Sequence, residues 1–266
     1  MLKLIIVAGI IFVLAIVMTM AGRGGGNFYV LTLVLAGVPM HQAATTGQFI
    51  LFMTAFAALI IFQKHKVVSW PLALFIGPLT ALAALGGGYL SHWFTGFTLK
   101  LIFSAMLALA GMLMLFPVRE RTDQPAVKTS LGHWRLKSAG ETYLVNLWVA
   151  VPIIVLSGFG SGMVGVSGGS FLVPLMVLAC QVPMRTAVGT ASSLIGATAL
   201  MGFLGHAAQG DFNPKWAIPL AAVTIIGGIL GGKFALKTKP KSLKMLFAYT
   251  TLLAALFMLV NAFYNR

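Results

Sequence analysis

The sequence repeats itself at one fixed offset along most of its length. The matched pairs lie 144 positions apart (168 − 24, 190 − 46) and include Gly24 with Gly168, Pro39 with Pro183, Thr46 with Thr190, Gly88 with Gly232 and Lys100 with Lys244. The offset continues without a gap, so the chain contains two copies of one unit. We assign residues 1–118 to the first copy, 119–143 to a linker and 144–266 to the second copy.

The composition is that of a membrane protein. Of 266 residues, 59% are hydrophobic and only 8% are charged, whereas soluble domains carry about 25% charged residues. Apolar runs near the length of a bilayer span recur along the whole chain. Cys180 is the only cysteine, which excludes an intrachain disulfide and a cysteine metal cluster. We expect no metal and no cofactor.

Each copy is predicted to contain five helical segments. They cover residues 4–21, 28–38, 43–62, 70–90 and 98–117 in the first copy, and 144–164, 171–182, 187–205, 214–232 and 243–263 in the second. The second segment of each copy is only about 16 Å long as a helix, roughly half a bilayer. It follows glycines and ends at Val-Pro-Met, a pattern typical of a discontinuous helix.

The basic residues predict the orientation. There are 18 Lys and Arg against four acids, a net charge of +14. With five crossings per copy and a cytoplasmic linker, only Lys3, Lys100, Lys215 and Arg266 lie outside, which leaves 14 of 18 inside (18 − 4). Short segments that re-entered would instead place the basic loop 233–244 outside. We therefore predict five crossings, periplasmic termini and no role in binding nucleic acid.

The predicted fold class is an all-α polytopic membrane protein with two inverted-topology repeats. An odd number of crossings inverts the second copy relative to the first. Inverted repeats with short, glycine-interrupted helices are typical of secondary transporters, whose site lies where the copies meet. Two small-residue pairs, Gly227 with Gly231 and Gly228 with Gly232, predict close helix packing rather than a ligand site.

Two glycine-rich stretches, residues 22–28 (GRGGGNF) and 165–171 (GVSGGSF), precede the short segments. A helix that starts after such a turn presents unpaired N–H groups and a positive dipole end. Helix starts of this kind bind sulfate, phosphate and carboxylate. The stretches therefore predict a site for a small anion, although glycines that only permit close packing would give the same pattern.

The candidate substrate-binding residues form two matched groups. They are Arg23, Gly24, Gly25, Asn27, Thr45, Thr46 and Gln48 in the first copy, and Ser167, Gly168, Gly169, Ser170, Thr190, Ser192 and Ser193 in the second. Alternatives remain open for several of them. Arg23, like Arg185, also fits a cytoplasmic-edge topology residue, and a helical Thr often bonds to the carbonyl four residues earlier.

All four acids lie in predicted loops: Glu120, Asp123, Glu141 and Asp211. A proton relay built from intramembrane carboxylates, as in many pumps, is therefore not expected. Proton coupling would need His41, His92 or His206, or an anion that carries the proton itself. A sodium site of hydroxyls and carbonyls is the other option, so the coupling ion stays open between proton and sodium.

At these residues the chain resembles the sulfite exporter TauE/SafE family. The second copy carries the family's motifs in residues 165–174 (GVSGGSFLVP) and 182–193 (VPMRTAVGTASS), with Gly205-His206 and Gly210-Asp211-Phe212 after them. The first copy departs from them, since Val30 replaces the proline. The resemblance implies a bacterial inner-membrane permease for sulfite or related sulfur oxyanions and organosulfonates.

Other functions compete with this interpretation. A permease for a carboxylate, sulfate or thiosulfate would need the same helix starts, and a channel would lack counterflow exchange. An intramembrane serine protease could use Ser167 as nucleophile and His206 as base. Ser167 replaces Arg23 in a duplicated turn, however, so we do not expect an enzyme. The expected partners are a small anionic substrate and the lipid bilayer, and the oligomeric state is open.

Overall fold

The computed structural model describes residues 2–90, 96–115, 133–138, 141–164, 169–180, 182–207 and 212–264. The helices of the first copy are α1 (Leu2–Met20), α2 (Gly26–Leu35), α3 (Met40–Lys64), α4 (Trp70–Leu90) and α5 (Gly96–Leu115). Those of the second copy are α6 (Leu147–Val164), α7 (Gly169–Pro174), α8 (Met184–Ala207), α9 (Pro214–Lys237) and α10 (Pro240–Tyr264). A π-helical turn, Leu175–Ala179, continues α7. All ten predicted segments correspond to helices.

A β-hairpin corrects the prediction of an all-α chain with a loop linker. Strands β1 (His133–Ser138) and β2 (Glu141–Asn146) pair antiparallel, with His133 opposite Asn146. Helix α6 consequently begins at Leu147, later than the predicted 144. The hairpin rests on α4, where the rings of Trp134 and Phe75 lie 5.0 Å apart between centroids.

Helix contacts follow the duplication. The 144-residue offset relates α1 to α6, α2 to α7, α3 to α8, α4 to α9 and α5 to α10. Helix α3 packs on its counterpart α8, and α5 packs on its counterpart α10. Helix α1 packs on α9, and the equivalent contact of α6 on α4 is also formed. The two copies are therefore interleaved, and most of the core lies between them.

Helices α3 and α8 run in opposite directions where they touch. Near the start of α3, Gln48 lies against Gly202, which is close to the end of α8. Further along α3, Ala55 lies against Gly196, which is earlier in α8. The residue numbers rise on one helix as they fall on the other, so these two counterparts are antiparallel.

Helices α5 and α10 are antiparallel as well. Phe97 at the start of α5 meets Phe263 at the end of α10, with ring centroids 5.6 Å apart. Later in α5, a Cβ on Gly111 would lie 2.8 Å from Leu252 Cγ, earlier in α10. In both pairs of counterpart helices that touch, α3 with α8 and α5 with α10, the two helices therefore run in opposite directions.

The four glycines of α9 confirm the prediction of close packing. A Cβ on Gly227 would lie 2.6 Å from Ala15 Cβ, and one on Gly231 would lie 2.7 Å from the Ile16 carbonyl oxygen, both in α1. Gly228 and Gly232 instead face α3. A side chain at Gly227, Gly228 or Gly231 would force the backbones apart, so the glycines allow α9 to contact α1 and α3 at once.

The outer surface fits a bilayer. Five described stretches are long and apolar enough to cross a membrane: Leu2–Met20, Thr45–Lys64, Met184–Leu204, Pro214–Lys237 and Pro240–Tyr264. Large apolar side chains on their outer faces are exposed, for example Ile6 and Val13 on α1. Such surface is stable when it faces lipid rather than water.

Basic residues separate between the two ends of the bundle. Helices α1 and α3 run parallel to α9, because the contacts of α9 advance along all three helices together. The end shared by the last turns of α3 and α9 carries exposed Lys64, Lys66, Lys233, Lys237, Lys239 and Lys241. Lys3 and Lys215 lie at the opposite end. This separation follows the division of charge that the sequence predicts.

Candidate functional site

Helix α1 ends in a glycine turn that carries the chain toward the protein interior. The N–H of Gly22 donates to the Thr19 carbonyl at 3.0 Å, and the N–H of Arg23 donates to the Met18 carbonyl at 3.0 Å. This pair of bonds is the Schellman motif, in which the residue after the helix adopts a left-handed conformation. Gly22 has φ +70°, which glycine adopts without the cost that a Cβ would add.

Helix α2 then starts from two more left-handed glycines. Gly24 has φ +72°, and Gly25, the N-cap residue of α2, has φ +80°. No side-chain hydrogen bond caps this helix start. A Cβ on Gly24 would lie 2.6 Å from Leu51 Cδ1 and 2.8 Å from Ile195 Cγ2. The break is therefore enclosed by α3 on one side and by α8 on the other.

The start of α7 reaches the same place from the second copy. A Cβ on Gly169 would lie 2.5 Å from Ile195 Cδ1 and 3.2 Å from the Gly22 carbonyl oxygen. Leu51 and Ile195, which line the junction, are themselves related by the 144-residue offset (195 − 51). The two glycine-rich breaks thus meet at a repeated position in the centre of the interface between the copies.

The structure describes the second break only from Gly169 onward. Ser167 and Gly168 lie outside the described residues, and for Asn27 and Ser170 only the helical backbone is described. Helix α7 has six residues and passes into a π turn at Pro174. Proline lacks an N–H and crowds the preceding turn, which explains why the second short segment is less regular than the predicted helix over residues 171–182.

Arg23 lies inside the protein rather than at its edge. Its side chain is 4% exposed, which does not fit a solvated topology residue. A guanidinium remains charged when buried and needs anionic or carbonyl oxygens around it. Arg185, the other cation considered, is half-buried and donates from Nη2 to the Thr238 carbonyl at 2.9 Å. That bond ties the start of α8 to the turn after α9.

The predicted hydroxyl groups divide into bonded and unbonded ones. Thr190 Oγ1 accepts from the Ser69 N–H at 2.9 Å. Ser192 donates to the Val188 carbonyl at 3.2 Å and Ser193 to the Thr190 carbonyl at 2.7 Å. Thr190, Ser192 and Ser193 are therefore hydrogen-bonded within the protein.

Thr46 is the exception among these hydroxyls. Its side chain is fully buried, and its Oγ1 has no hydrogen-bond partner within the described part of the chain. Thr45 and Gln48 beside it are also buried. The Thr46 hydroxyl is therefore unused within the described residues, whereas its counterpart, Thr190, accepts a bond that holds α8 against the start of α4.

Sequence reasoning missed two buried hydroxyls near the first break. Tyr29 in α2 is fully buried, Thr19 in the last turn of α1 is 3% exposed, and neither side-chain oxygen has a hydrogen-bond partner among the described residues. Their counterparts at the 144-residue offset are Val173 and Met163. A search for polar residues whose counterpart in the other copy is apolar would have found both.

Comparison with known proteins identifies the family. The sequence profile described as Sulfite exporter TauE/SafE matches residues 7–258. The chain belongs to the sulfite exporter TauE/SafE family. It is 26% identical over 247 residues to the probable membrane transporter protein YunE of Bacillus subtilis (strain 168), covering 88% of this chain and 89% of that protein. No solved structure matches it.

Two further relatives extend the likeness. A probable membrane transporter protein of Xylella fastidiosa (strain Temecula1 / ATCC 700964) is 28% identical over 212 residues, which cover 79% of this chain and 75% of that protein. The probable membrane transporter protein MJ0441 of Methanocaldococcus jannaschii is 24% identical over 276 aligned positions, covering 98% and 96%. Together with the apolar helices, the family establishes a multi-pass membrane transporter.

Proposed function

We propose that the protein is a secondary transporter for a small sulfur-containing oxyanion, such as sulfite or an organosulfonate. The observation that carries this proposal is the junction at Ile195, which lies against both Gly24 and Gly169. The starts of two discontinuous helices, one from each copy, converge there. A single anion placed at the junction would be near both.

The chemistry of the junction suits an anion. Helix starts present N–H donors and a partial positive charge, and α2 begins without a side-chain cap that would compete for those donors. Arg23 adds a full positive charge two residues before Gly25. Its burial also favours a dianion or a strongly charged monoanion, because the charge of a buried guanidinium is stabilised most by an oxyanion with parallel acceptors.

The directions of the helices support inverted repeats and alternating access. Counterparts α3 and α8, and likewise α5 and α10, are antiparallel, as two copies related by an in-plane axis would be. Helix α2 runs against α3, since Gly26 lies near Leu51 and Val30 lies near Gly47. With α1 and α3 parallel, the break and α2 together return the chain across the membrane. That path favours five crossings in the first copy.

The proposal is tested by uptake of radiolabelled sulfite into proteoliposomes. Unlabelled sulfate, thiosulfate, sulfoacetate, taurine, acetate and phosphate serve as competitors, and empty liposomes give the background. We expect saturable uptake that sulfur oxyanions inhibit more strongly than acetate does. Uptake at the background level, with no anion raising the melting temperature of the purified protein, would remove the oxyanion assignment and leave only the membrane transporter.

A further inference from the structure

We propose that Tyr29 is a specificity-determining residue whose hydroxyl donates a hydrogen bond to the transported anion. The inference rests on the proposed function and assigns a donor that the sequence motifs do not include. It also makes the two copies unequal, since the residue at the equivalent position of the second copy is Val173, which has no hydroxyl.

The position of Tyr29 brings its phenol to the start of its own helix. The ring folds back along α2, so that a Cβ on Gly25 would lie 3.2 Å from Tyr29 Cζ. Cζ is the atom that bears the hydroxyl, and Gly25 is the N-cap residue of α2. The hydroxyl therefore lies at the helix start where the anion is proposed to bind, although Tyr29 is one turn further along the chain.

The hydroxyl of Tyr29 is buried, and no hydrogen bond of good geometry reaches it within the described part of the chain. Its nearest polar neighbour is the hydroxyl of Thr54, which donates to the Ile50 carbonyl at 2.6 Å and is not aligned to accept a well-formed bond from Tyr29. Buried tyrosine hydroxyls usually have a partner, because an unsatisfied hydroxyl gives up its hydrogen bonds to water without forming a new one. An unpartnered hydroxyl at a helix start is explained when a ligand supplies the acceptor.

A second unpartnered hydroxyl lies on the other side of the same break. Thr19 is in the last turn of α1 and is 3% exposed, and its Oγ1 lacks a partner among the described residues. Its Cβ packs against Gly231 of α9. Two hydroxyls without a partner in the described residues and the buried Arg23 therefore lie within one helical turn of the break along the chain.

The counterparts of these residues are apolar or neutral. The offset of 144 places Val173 opposite Tyr29, Met163 opposite Thr19 and Ser167 opposite Arg23. Val173 packs its Cγ2 against Gly22, 3.3 Å from where a Cβ would be. A valine therefore suffices for packing at this position of the fold, so packing alone does not require the phenol in the first copy.

These donors should favour sulfur oxyanions over halides and over carboxylates. A sulfur oxyanion offers three or more acceptor oxygens in a tetrahedral or pyramidal arrangement, which backbone N–H groups, a guanidinium and a phenol can share from different directions. A planar carboxylate presents its acceptor sites close to one plane, so donors that approach from different directions fit it less well. Loss of the Tyr29 hydroxyl should therefore weaken sulfite binding more than acetate binding.

The test compares Tyr29→Phe with the wild-type protein and with Tyr249→Phe, a matched control on the exposed surface of α10. Melting temperatures are measured in detergent with and without sulfite, and KM and the maximal rate are measured in proteoliposomes. For Tyr29→Phe we expect an unchanged or higher melting temperature without sulfite, a smaller stabilisation by sulfite, and a KM raised about tenfold or more, as for one hydrogen bond to a charged group. Tyr249→Phe should behave as wild type.

Each other outcome overturns the inference in a recognisable way. A wild-type KM and wild-type stabilisation by sulfite in Tyr29→Phe would show that the hydroxyl does not contact the anion. A lower melting temperature with unchanged affinity, or a variant that does not fold, would assign the hydroxyl to the structure alone. A wild-type protein that neither transports nor responds to any of the anions would instead remove the proposed function itself.

Discussion

The hydroxyl of Thr190 accepts a hydrogen bond from the backbone N–H of Ser69, 2.9 Å away and 121 positions earlier in the chain. Ser69 directly precedes α4, and its carbonyl accepts the N–H of Ala73 in the first turn. The bond therefore fixes the start of α4 against α8. The equivalent residue in the first copy, Thr46, makes no such bond. The counterpart of Ser69 is Asn213, whose side chain accepts the N–H of Lys215 at the start of α9.

Replacing Thr190 with valine should destabilise the protein. The change leaves the buried N–H of Ser69 without an acceptor, which costs about 1–3 kcal/mol. Thr46→Val is the matched control, since its hydroxyl has no partner to lose, and we expect its melting temperature to be equal to that of wild type or higher. Thermal unfolding in detergent measures both. Equal melting temperatures for the two variants would contradict this division of roles.

A single methyl group on α9 should also lower stability. A Cβ on Gly228 would lie 2.5 Å from the Thr54 carbonyl oxygen, a backbone atom that cannot move without shifting α3. We expect Gly228→Ala to cost about 1–3 kcal/mol through overpacking. Gly9→Ala on α1 meets nothing within 4 Å and should be neutral or slightly stabilising. If Gly228→Ala unfolds at the same temperature as Gly9→Ala, the contact between α9 and α3 is looser than described.

Substitution in the first break should affect transport beyond any backbone strain. Gly24 and Gly37 both have positive φ, +72° and +85°, so alanine costs about 1–2 kcal/mol at either position. Only at Gly24 would the new methyl group press on Leu51 and Ile195. Sulfite uptake at matched protein levels should fall sharply in Gly24→Ala and remain in Gly37→Ala. Equal losses would mean that backbone strain alone is responsible.

The parallel arrangement of α3 and α9 can be tested from the two faces of the membrane. Single cysteines replace Lys239 or Lys215 in a Cys180→Ser background, where Cys180 is buried. An impermeant thiol reagent should label Lys239→Cys only in inside-out vesicles and Lys215→Cys only in right-side-out ones, because the ends of α9 lie on opposite faces. Lys64→Cys should follow Lys239→Cys. Labelling of Lys64→Cys from the periplasmic face would rule out the parallel arrangement of α3 and α9.

Helix positions were predictable because the lipid environment makes apolar length a direct signal. The predicted segment at residues 70–90 coincides with α4, and the glycine pairs of α9 indicated close packing correctly. The β-hairpin was not predictable in the same way. Its strands have only six residues each, and Ala139-Gly140 between them is not one of the strong hairpin turn sequences.

The candidate site was predictable where it depends on the backbone and not where it depends on distant side chains. The duplicated glycines indicated both breaks, but the bond between Thr190 and Ser69 joins residues far apart in sequence. Tyr29 lies in an apolar run of α2 and resembles an ordinary core aromatic. Only the folded arrangement brings the end of its ring beside Gly25.

The most direct measurement is the stoichiometry of labelled sulfite bound to the purified protein at equilibrium. Because the starts of α2 and α7 converge at Ile195, we predict one bound anion per chain. Both Gly25→Leu and Gly169→Leu should abolish that binding, while Gly9→Leu on the outer face of α1 should retain it. Two anions per chain, with each glycine variant losing one of them, would contradict a single site shared by the two copies.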